Sequence, residues 1–478
     1  MKLNVNKIRR MAFLLGLVML LSVVCASCVN LDNVDEVNPR SALAEESKDT
    51  DVSDEEIVIP EGTTNLPEIA TVVNSAPYTI AVSGKCEKDA VIRVTGGKED
   101  AETVANGEYF IIKVDLAGKN DLLKVSAQAE GKDESPKVEL RPNYDATAQN
   151  RLDGNSVSVG VNSRLYFDKM EIDATAKNLY TESQLKDIKT YVNSAASSYY
   201  YDRAKGQPVE LIYVLVPNVT TIYPDVLPVK SEEYTIYDQV LSALNETQAT
   251  VVDMRAIFES LRDDKTVNET YGGLYRVTDS SLTDYGAYLT YKEIMTVVTK
   301  NFPEAAPKAL EDFEWSTVDA KGGNLVNYRE LDGSVIGESL VVSKPKFSLA
   351  LGSNDAGTSA INSLRKYVDT ARNDYNFFVE SDADDKINGI SERWLVDTAR
   401  EGVDLPNAII YRDYSSLAFT DILAERFQKS LLVESGNYNL NLSELKTYAA
   451  PGKNVADYVI VIVSEENFDT AFNSALAG

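Results

Sequence analysis

Two short stretches set acids beside hydroxyls at spacings that suggest chemistry. One runs from Tyr275 to Tyr291, YRVTDSSLTDYGAYLTY, and holds Asp279, Ser281 and Asp284. The other, NAIIYRDYSSLAFTDILAERF (407–427), places Asp413 next to Tyr414, Ser415 and Ser416. A hydroxyl with a neighbouring base is the raw material of nucleophilic catalysis. The base is the difficulty, because the chain contains no histidine. That removes Ser-His-Asp and Cys-His triads, imidazole zinc sites and histidine general bases. A hydrolase made from this chain would need a lysine, tyrosine or carboxylate as proton acceptor, or a metal held by oxygen ligands.

The candidate positions are Asp279, Ser281, Asp413, Tyr414 and Ser415, none with an assured catalytic role. Ser415 or Ser416 is available as a nucleophile with Asp279 or Asp413 as direct base, although a carboxylate is a weak base for an alcohol. Asp279, Asp413 and Asp284 are a conceivable oxygen set for a divalent cation. Asp382, Asp384 and Asn388-Gly389 look like a calcium loop, but Lys386 and Leu395 stand where oxygen ligands are required. No metal or cofactor is expected.

These residues must be positioned by a scaffold, and from about residue 156 strand and helix signals alternate. Apolar runs at 206–217, ATVVDM, NAIIYR and DYVIVIVS (457–464) have the uniform character of buried parallel strands. Ile188, Val192, Ala195 and Tyr199 recur along one helix face, and Ile422, Leu423 and Phe427 repeat that spacing. This predicts an α/β domain over 156–478, with a mostly parallel sheet covered on both faces. Residues 301–406 read as an insertion, with hairpin-like pieces around Asp332-Gly333 and a helical pattern from Ala360 to Tyr375.

Four stretches in order carry a family resemblance across about 300 residues: VNSRLYF (161–167), LIYVLVPNVTTIYPDVLP (211–228), 275–291 and 407–427. ADYVIVIVSEENF closes the set, with Glu466 where an arginine is common. Together they resemble the SGNH-hydrolase-like proteins of the alginate O-acetylation type and the related DHHW family. The family's central motif reads Thr-Asp-x-His-Trp-x(3)-Gly-Ala-Tyr and its late one Arg-Asp-Ser-Phe-Gly. Thr278, Asp279, Gly286, Ala287, Tyr288, Arg412 and Asp413 match this frame. Ser281 and Leu282 replace the His-Trp pair, and Tyr414 stands in the nucleophilic serine's place. The resemblance implies a three-layer α/β/α SGNH-hydrolase-like fold and acyl transfer to, or deacylation of, cell-surface polysaccharides. The departures imply a domain that keeps the frame without its catalytic groups. A rearranged esterase or acetyltransferase is the alternative. Tyr199, Tyr200, Tyr201, Tyr271 and Tyr275 are candidates for stacking on sugars, although packing at a sheet–helix boundary explains any one of them as well.

Residues 1–27 resemble a bacterial lipoprotein signal. Lys2, Lys7, Arg9 and Arg10 precede an apolar run from Met11 to Val24, and Ala26-Ser27 precede Cys28, the expected lipidation site. An ordinary secretory peptide or a retained anchor are the other readings. The expected location is extracytoplasmic, lipid-anchored to the bacterial envelope. Residues 28–64 are acidic and poor in aromatics, the composition of an extended tether. Residues 65–142 hold short strands with turn signals at Gly84-Lys85 and Asn106-Gly107. This predicts a small all-β sandwich resembling bacterial immunoglobulin-like domains, with spacer as its default role; 143–155 read as linker. Cys86 is then the single cysteine remaining, with a buried apolar role expected. The formal net charge of −27 argues against nucleic acid as a partner. Surface glycan, envelope proteins and the membrane through Cys28 are the expected partners.

Overall fold

The computed structural model describes residues 59–76, 78–118, 120–142, 157–200, 209–328, 336–347, 390–398, 402–435 and 456–476. The signal segment, Cys28, most of the tether, the 143–155 linker, the 360–375 helical pattern and the 382–389 loop lie outside them. Ile59–Gly478 constitutes one compact unit.

Seven strands come first: β1 (Glu68–Ala76), β2 (Thr79–Lys85), β3 (Val91–Thr95), β4 (Ala101–Val104), β5 (Tyr109–Asp115), β6 (Leu123–Gln128) and β7 (Val138–Leu140). They form two antiparallel sheets, ordered β1-β2-β5 and β4-β3-β6-β7. Between them pack Ile80, Val82, Ile92, Val94, Phe110, Ile112 and Val125. Half-buried Cys86 lies against this core, and its thiol is pushed up to about 12, by burial first and then by Asp89.

Three sequence expectations change here. The Asn106-Gly107 turn exists, with Gly107 at φ +60°, but it carries the chain from one sheet to the other and joins no hairpin. β2 runs on through Gly84 and Lys85, which pair with β1 and β5, and Gly84 is the residue that fits there because a side chain would meet the Glu68 carbonyl oxygen of β1. Residues 63–64 are already pinned to the sandwich: Thr63 bridges Asp133, and Thr64 Oγ1 donates to the Asp133 carbonyl (2.8 Å).

β2 and β5 are buried on both faces. Their outer residues Ala81 and Ile111 pack with Val157, Val159, Leu165, Leu325, Val326 and Ile336 from the following domain. Burial on two sides explains why TIAV and YFII are continuous apolar runs rather than alternating ones. β8 (Val157–Val159) and β9 (Leu165–Phe167) form the hairpin that enters this contact. Its turn residues Asn162 and Ser163 lie at φ +54° and +57°, the backbone that a two-residue turn between twisted strands requires.

The central sheet follows with β10 (Glu210–Val216) and β11 (Thr250–Asp253). A separate antiparallel pair, β12 (Phe313–Lys321) and β13 (Gly337–Pro345), stands outside it. β14 (Ile390–Asp397), β15 (Asn407–Arg412), β16 (Lys429–Ser435) and β17 (Tyr458–Ser464) complete the order β11-β10-β17-β15-β16-β14. Every pairing is parallel except β14 with β16. Along β10 and β17 alternate residues enter two different cores. Ile212, Val214, Ile460 and Ile462 face the helix Asp284–Val298. Leu211, Tyr213, Val459 and Val461 face the helices Glu182–Tyr200 and Ile236–Asn245 and the Phe468–Phe472 segment. The result is the three-layer α/β/α arrangement. The stretch read as one insertion therefore divides: β12–β13 is an added hairpin, whereas β14 is the antiparallel edge of the sheet itself. No helix among the described residues is long and apolar enough to cross a membrane.

Candidate functional site

In an open parallel sheet, ligands bind beyond the carboxyl ends of the strands. Three adjacent strands end here on polar residues: β10 on Asn218 two positions past its end, β15 on Asp413, and β17 on Ser464, Glu465 and Glu466. Asp413 is buried and accepts from five donors. Its Oδ1 takes the Ser415 amide (3.0 Å) and Ser415 Oγ (2.5 Å). Its Oδ2 takes the Ser464 amide and Oγ (both 2.6 Å) and Asn467 Nδ2 (3.1 Å). Arg412 Nη1 donates to the Asp413 carbonyl (3.0 Å). A carboxylate offers about four lone-pair sites, so Asp413 is occupied as a clamp between two strand ends and the 3₁₀ turn Tyr414–Phe419.

Asp279 lies on the loop ahead of the helix Asp284–Val298. The helix is capped by Thr283, whose Oγ1 accepts the Gly286 amide (3.1 Å) and donates to the Gly273 carbonyl (2.7 Å). A Cβ on Gly286 would sit 2.3 Å from the Leu274 carbonyl oxygen, so the motif's glycine is there for close packing. Asp279 Oδ1 accepts the Ser281 amide (2.9 Å); Oδ2 accepts the Asn324 amide (2.9 Å) and the Tyr414 hydroxyl (3.1 Å). Arg276 Nη1 stands 3.6 Å from Oδ2. The structure thus brings Asp279, Ser281 and Tyr414 together across 135 residues of chain, and the Leu282 amide donates to the Ser415 carbonyl (2.9 Å) to close the contact.

The other motif stretches converge on the same place. The Leu165 amide donates to the Val277 carbonyl (2.9 Å), and Arg164 Nη1 donates to the Arg276 carbonyl (2.6 Å). Tyr275 donates to the Pro217 carbonyl (2.7 Å); it is a core residue, with burial holding its phenol well above the usual range. Tyr271 is half-buried and stacks on Tyr285, ring centroids 4.5 Å apart. The side chains of Tyr199 and Tyr200, and Tyr201 itself, lie outside the described residues. Asp284 does not join Asp279 and Asp413: its Oδ2 accepts the amide and hydroxyl of Ser343 (both 2.7 Å) on β13. Among the described residues no group of three or more acids or cysteines could hold a metal ion.

Sequence reasoning missed a second layer of acids behind Asp413. Asn218 links them: its amide donates to Glu465 Oε2 (2.8 Å), its Nδ2 donates to Asp173 Oδ2 (2.9 Å), and its Oδ1 accepts the Glu466 amide (3.0 Å). Lys169 Nζ pairs with Asp173 (2.9 Å). Burial, then the charge of Asp173, pushes Glu465 up to about 7, while Asn218 and Thr221 pull it back. Burial, then Asp413 and Asp173, holds Glu466 well above the usual carboxylate range. Burial also raises Asp173, against Lys169. Position is the available signal, since Glu465 and Glu466 directly follow a buried strand and Asp173 lies in the last turn of the helix Asp168–Ala174. Arg276 is the contrasting case. Burial opposes its charge, but Glu338 and Asp279 beside it keep its pKa above the ordinary arginine value.

No curated protein sequence matches the chain. Among solved structures it is similar to Bacillus cereus PatB1, at 14% identity and TM-score 0.45, covering 66% of this chain and 98% of that one. It is similar to a DHHW family protein from Eubacterium siraeum (13%, TM-score 0.38, 74% and 93% covered). A third is the O-acetyltransferase domain of Pseudomonas putida AlgJ (13%, TM-score 0.38, 67% and 95%). The family model described as "SGNH hydrolase-like domain, acetyltransferase AlgX" matches residues 191–339, which include Arg276 to Ser281, the helix Asp284–Val298 and Glu338. Over that stretch the chain is similar to the SGNH hydrolase-like domain of the acetyltransferase AlgX type.

Proposed function

We propose that this protein is an extracytoplasmic lipoprotein, anchored through Cys28, whose acetyltransferase-like domain binds or scaffolds surface polysaccharide without catalysing acyl transfer. One observation carries the reading. Tyr414 occupies the place where the family has its nucleophilic serine, and its hydroxyl is bonded to Asp279, the carboxylate that would orient the missing histidine. A serine hydroxyl needs a positioned base. Here the acceptor atoms of Asp279 and Asp413 are engaged by backbone amides and neighbouring side chains.

The alternative is a residual polysaccharide O-acyl esterase or acetyltransferase with a shifted nucleophile, and the short Ser415 Oγ–Asp413 bond favours it. Acetyl-ester hydrolysis by the chain from residue 29 separates the two. No turnover above background is expected from the unaltered protein, with a gain in the Ser281→His/Tyr414→Ser variant. Turnover in the unaltered protein that Ser415→Ala abolishes would establish the alternative. Glycan-array binding by the same chain tests the polysaccharide half of the proposal, and silence across the array would leave only a structural role.

A further inference from the structure

The loop carrying Asp279 is not suspended from the sheet that carries the rest of the site. Glu338, on β13 and 1% exposed, holds it. Glu338 Oε1 accepts Arg276 Nε (2.8 Å), Arg276 Nη2 (2.6 Å) and Thr278 Oγ1 (3.0 Å). Its Oε2 accepts the backbone amides of Val277 (2.8 Å) and Thr278 (3.4 Å). A buried ion pair alone would need only the guanidinium. Capture of two consecutive amides as well fixes the course of the main chain directly ahead of Asp279. From the segment that follows β12, the Gly323 amide donates to Thr278 Oγ1 (3.0 Å) and the Asn324 amide to Asp279 Oδ2 (2.9 Å).

The residues on either side of Glu338 are where the amino-terminal sandwich touches the hairpin. A Cβ on Gly337 would lie 2.9 Å from Cζ of Tyr109 on β5, and one on Gly107 would lie 2.9 Å from Ser339 Cβ. Tyr109 donates to Asp319 Oδ2 (3.2 Å), and Asp319 is the register partner of Ser339. Ser163, in the β8–β9 turn, donates to the Val104 carbonyl (2.9 Å) and accepts the Ile111 amide (3.3 Å). The contacts continue through the shared core of Ala81, Ile111, Leu325 and Ile336. A spacer has no use for so dense a joint.

We infer that the amino-terminal sandwich buttresses the candidate site from behind the β12–β13 pair, and that Glu338 is the positioning residue through which the sandwich sets the 276–281 loop against Tyr414. The inference rests on the proposed function only in taking Asp279 and Tyr414 as the centre of the site. The test uses the full chain, with 3-fluorotyrosine at position 414 read by fluorine NMR and amide hydrogen exchange read at 277–281. In Glu338→Gln the fluorine resonance shifts, and exchange at Val277 and Thr278 rises about ten-fold or more as their acceptor weakens. Glu338→Asp, which keeps the charge, returns the resonance part of the way. Gly337→Ala alters only the contact with Tyr109 and the adjoining strand, yet moves the same resonance and the same amides. Tyr109→Phe, which keeps the ring, does so more weakly and serves if Gly337→Ala does not fold.

An unchanged resonance at 414 in Glu338→Gln would overturn the positioning role. Changes in Gly337→Ala and Tyr109→Phe confined to β5 and β13 would show the site insulated from the sandwich and return the sandwich to a spacer. Neither readout involves an ester or a glycan, so failure of glycan binding bears on the proposed function and leaves this inference standing.

Discussion

The two buried aspartates of the site are held in opposite ways. Asp413 sits at the end of a central strand, and its donors come from its own turn and from the end of the neighbouring strand β17. Asp279 sits on a loop whose anchors, Asn324 and Glu338, arrive from a hairpin outside the sheet. The strand-end aspartate inherits the rigidity of six paired strands. The loop aspartate owes its place to a few side-chain bonds between elements distant in sequence. A fold can thus hold one buried aspartate by its architecture, while another keeps its place only as long as a small set of contacts does.

That contrast can be broken most forcefully at Glu338. Glu338→Gln leaves Arg276 buried with its main partner neutralised, and removing one member of a buried pair costs about 3–5 kcal/mol; chemical denaturation of the full chain measures the loss. Asp413→Asn is expected to cost less, about 1–3 kcal/mol, because an amide keeps some acceptor capacity while its NH₂ group meets donors at Ser464 and Asn467. If the two variants prove equal, the distinction between architectural and suspended carboxylates fails. Gly286→Ala, which forces a Cβ against the Leu274 carbonyl, is expected to cost about 1–3 kcal/mol; thermal melting reads it.

A pH series sharpens the comparison from the other side. Glu465 has its folded pKa raised from 4.5 to about 7, so the folded state retains a proton that the unfolded chain has lost. Stability therefore falls as pH rises from about 4.5 to about 7 and levels off above. Asp173 is raised too, so the pair acts in one direction. Melting temperatures should decline across that window, and Glu465→Gln should flatten the decline. The smallest effect belongs to the exposed pair Arg93–Glu102 on the sandwich surface. Glu102→Gln should change stability by less than about 1 kcal/mol, with no change at the site.

Much of the central sheet is legible in the sequence. The strands β10, β15 and β17 are legible because burial on both faces demands unbroken apolar runs. The helix Asp284–Val298, with its Thr283 cap and closely packed Gly286, is not read from helical spacing and emerges only with the fold. β14 and β16 do not stand out in the same way, since their runs mix charged and apolar residues near a sheet edge. The Asn106-Gly107 turn shows the limit of local signals. The dipeptide specifies a reversal of the chain, but the sheet each flanking strand joins is settled by which apolar face finds a partner.

The amino acids by themselves determined the layered α/β class, the acidic surface and the lack of any imidazole. They also determined the family frame around Thr278, Asp279, Arg412 and Asp413, because each of these follows from residue type and short-range spacing. Only the tertiary structure decided that Tyr414 bonds Asp279, that Glu338 holds the loop between them, and that Glu465 and Asp173 share a buried network through Asn218. Those contacts join residues far apart in sequence. Their energies come from burial and from donors that meet only once sheet, hairpin and sandwich have packed, so no local pattern records them.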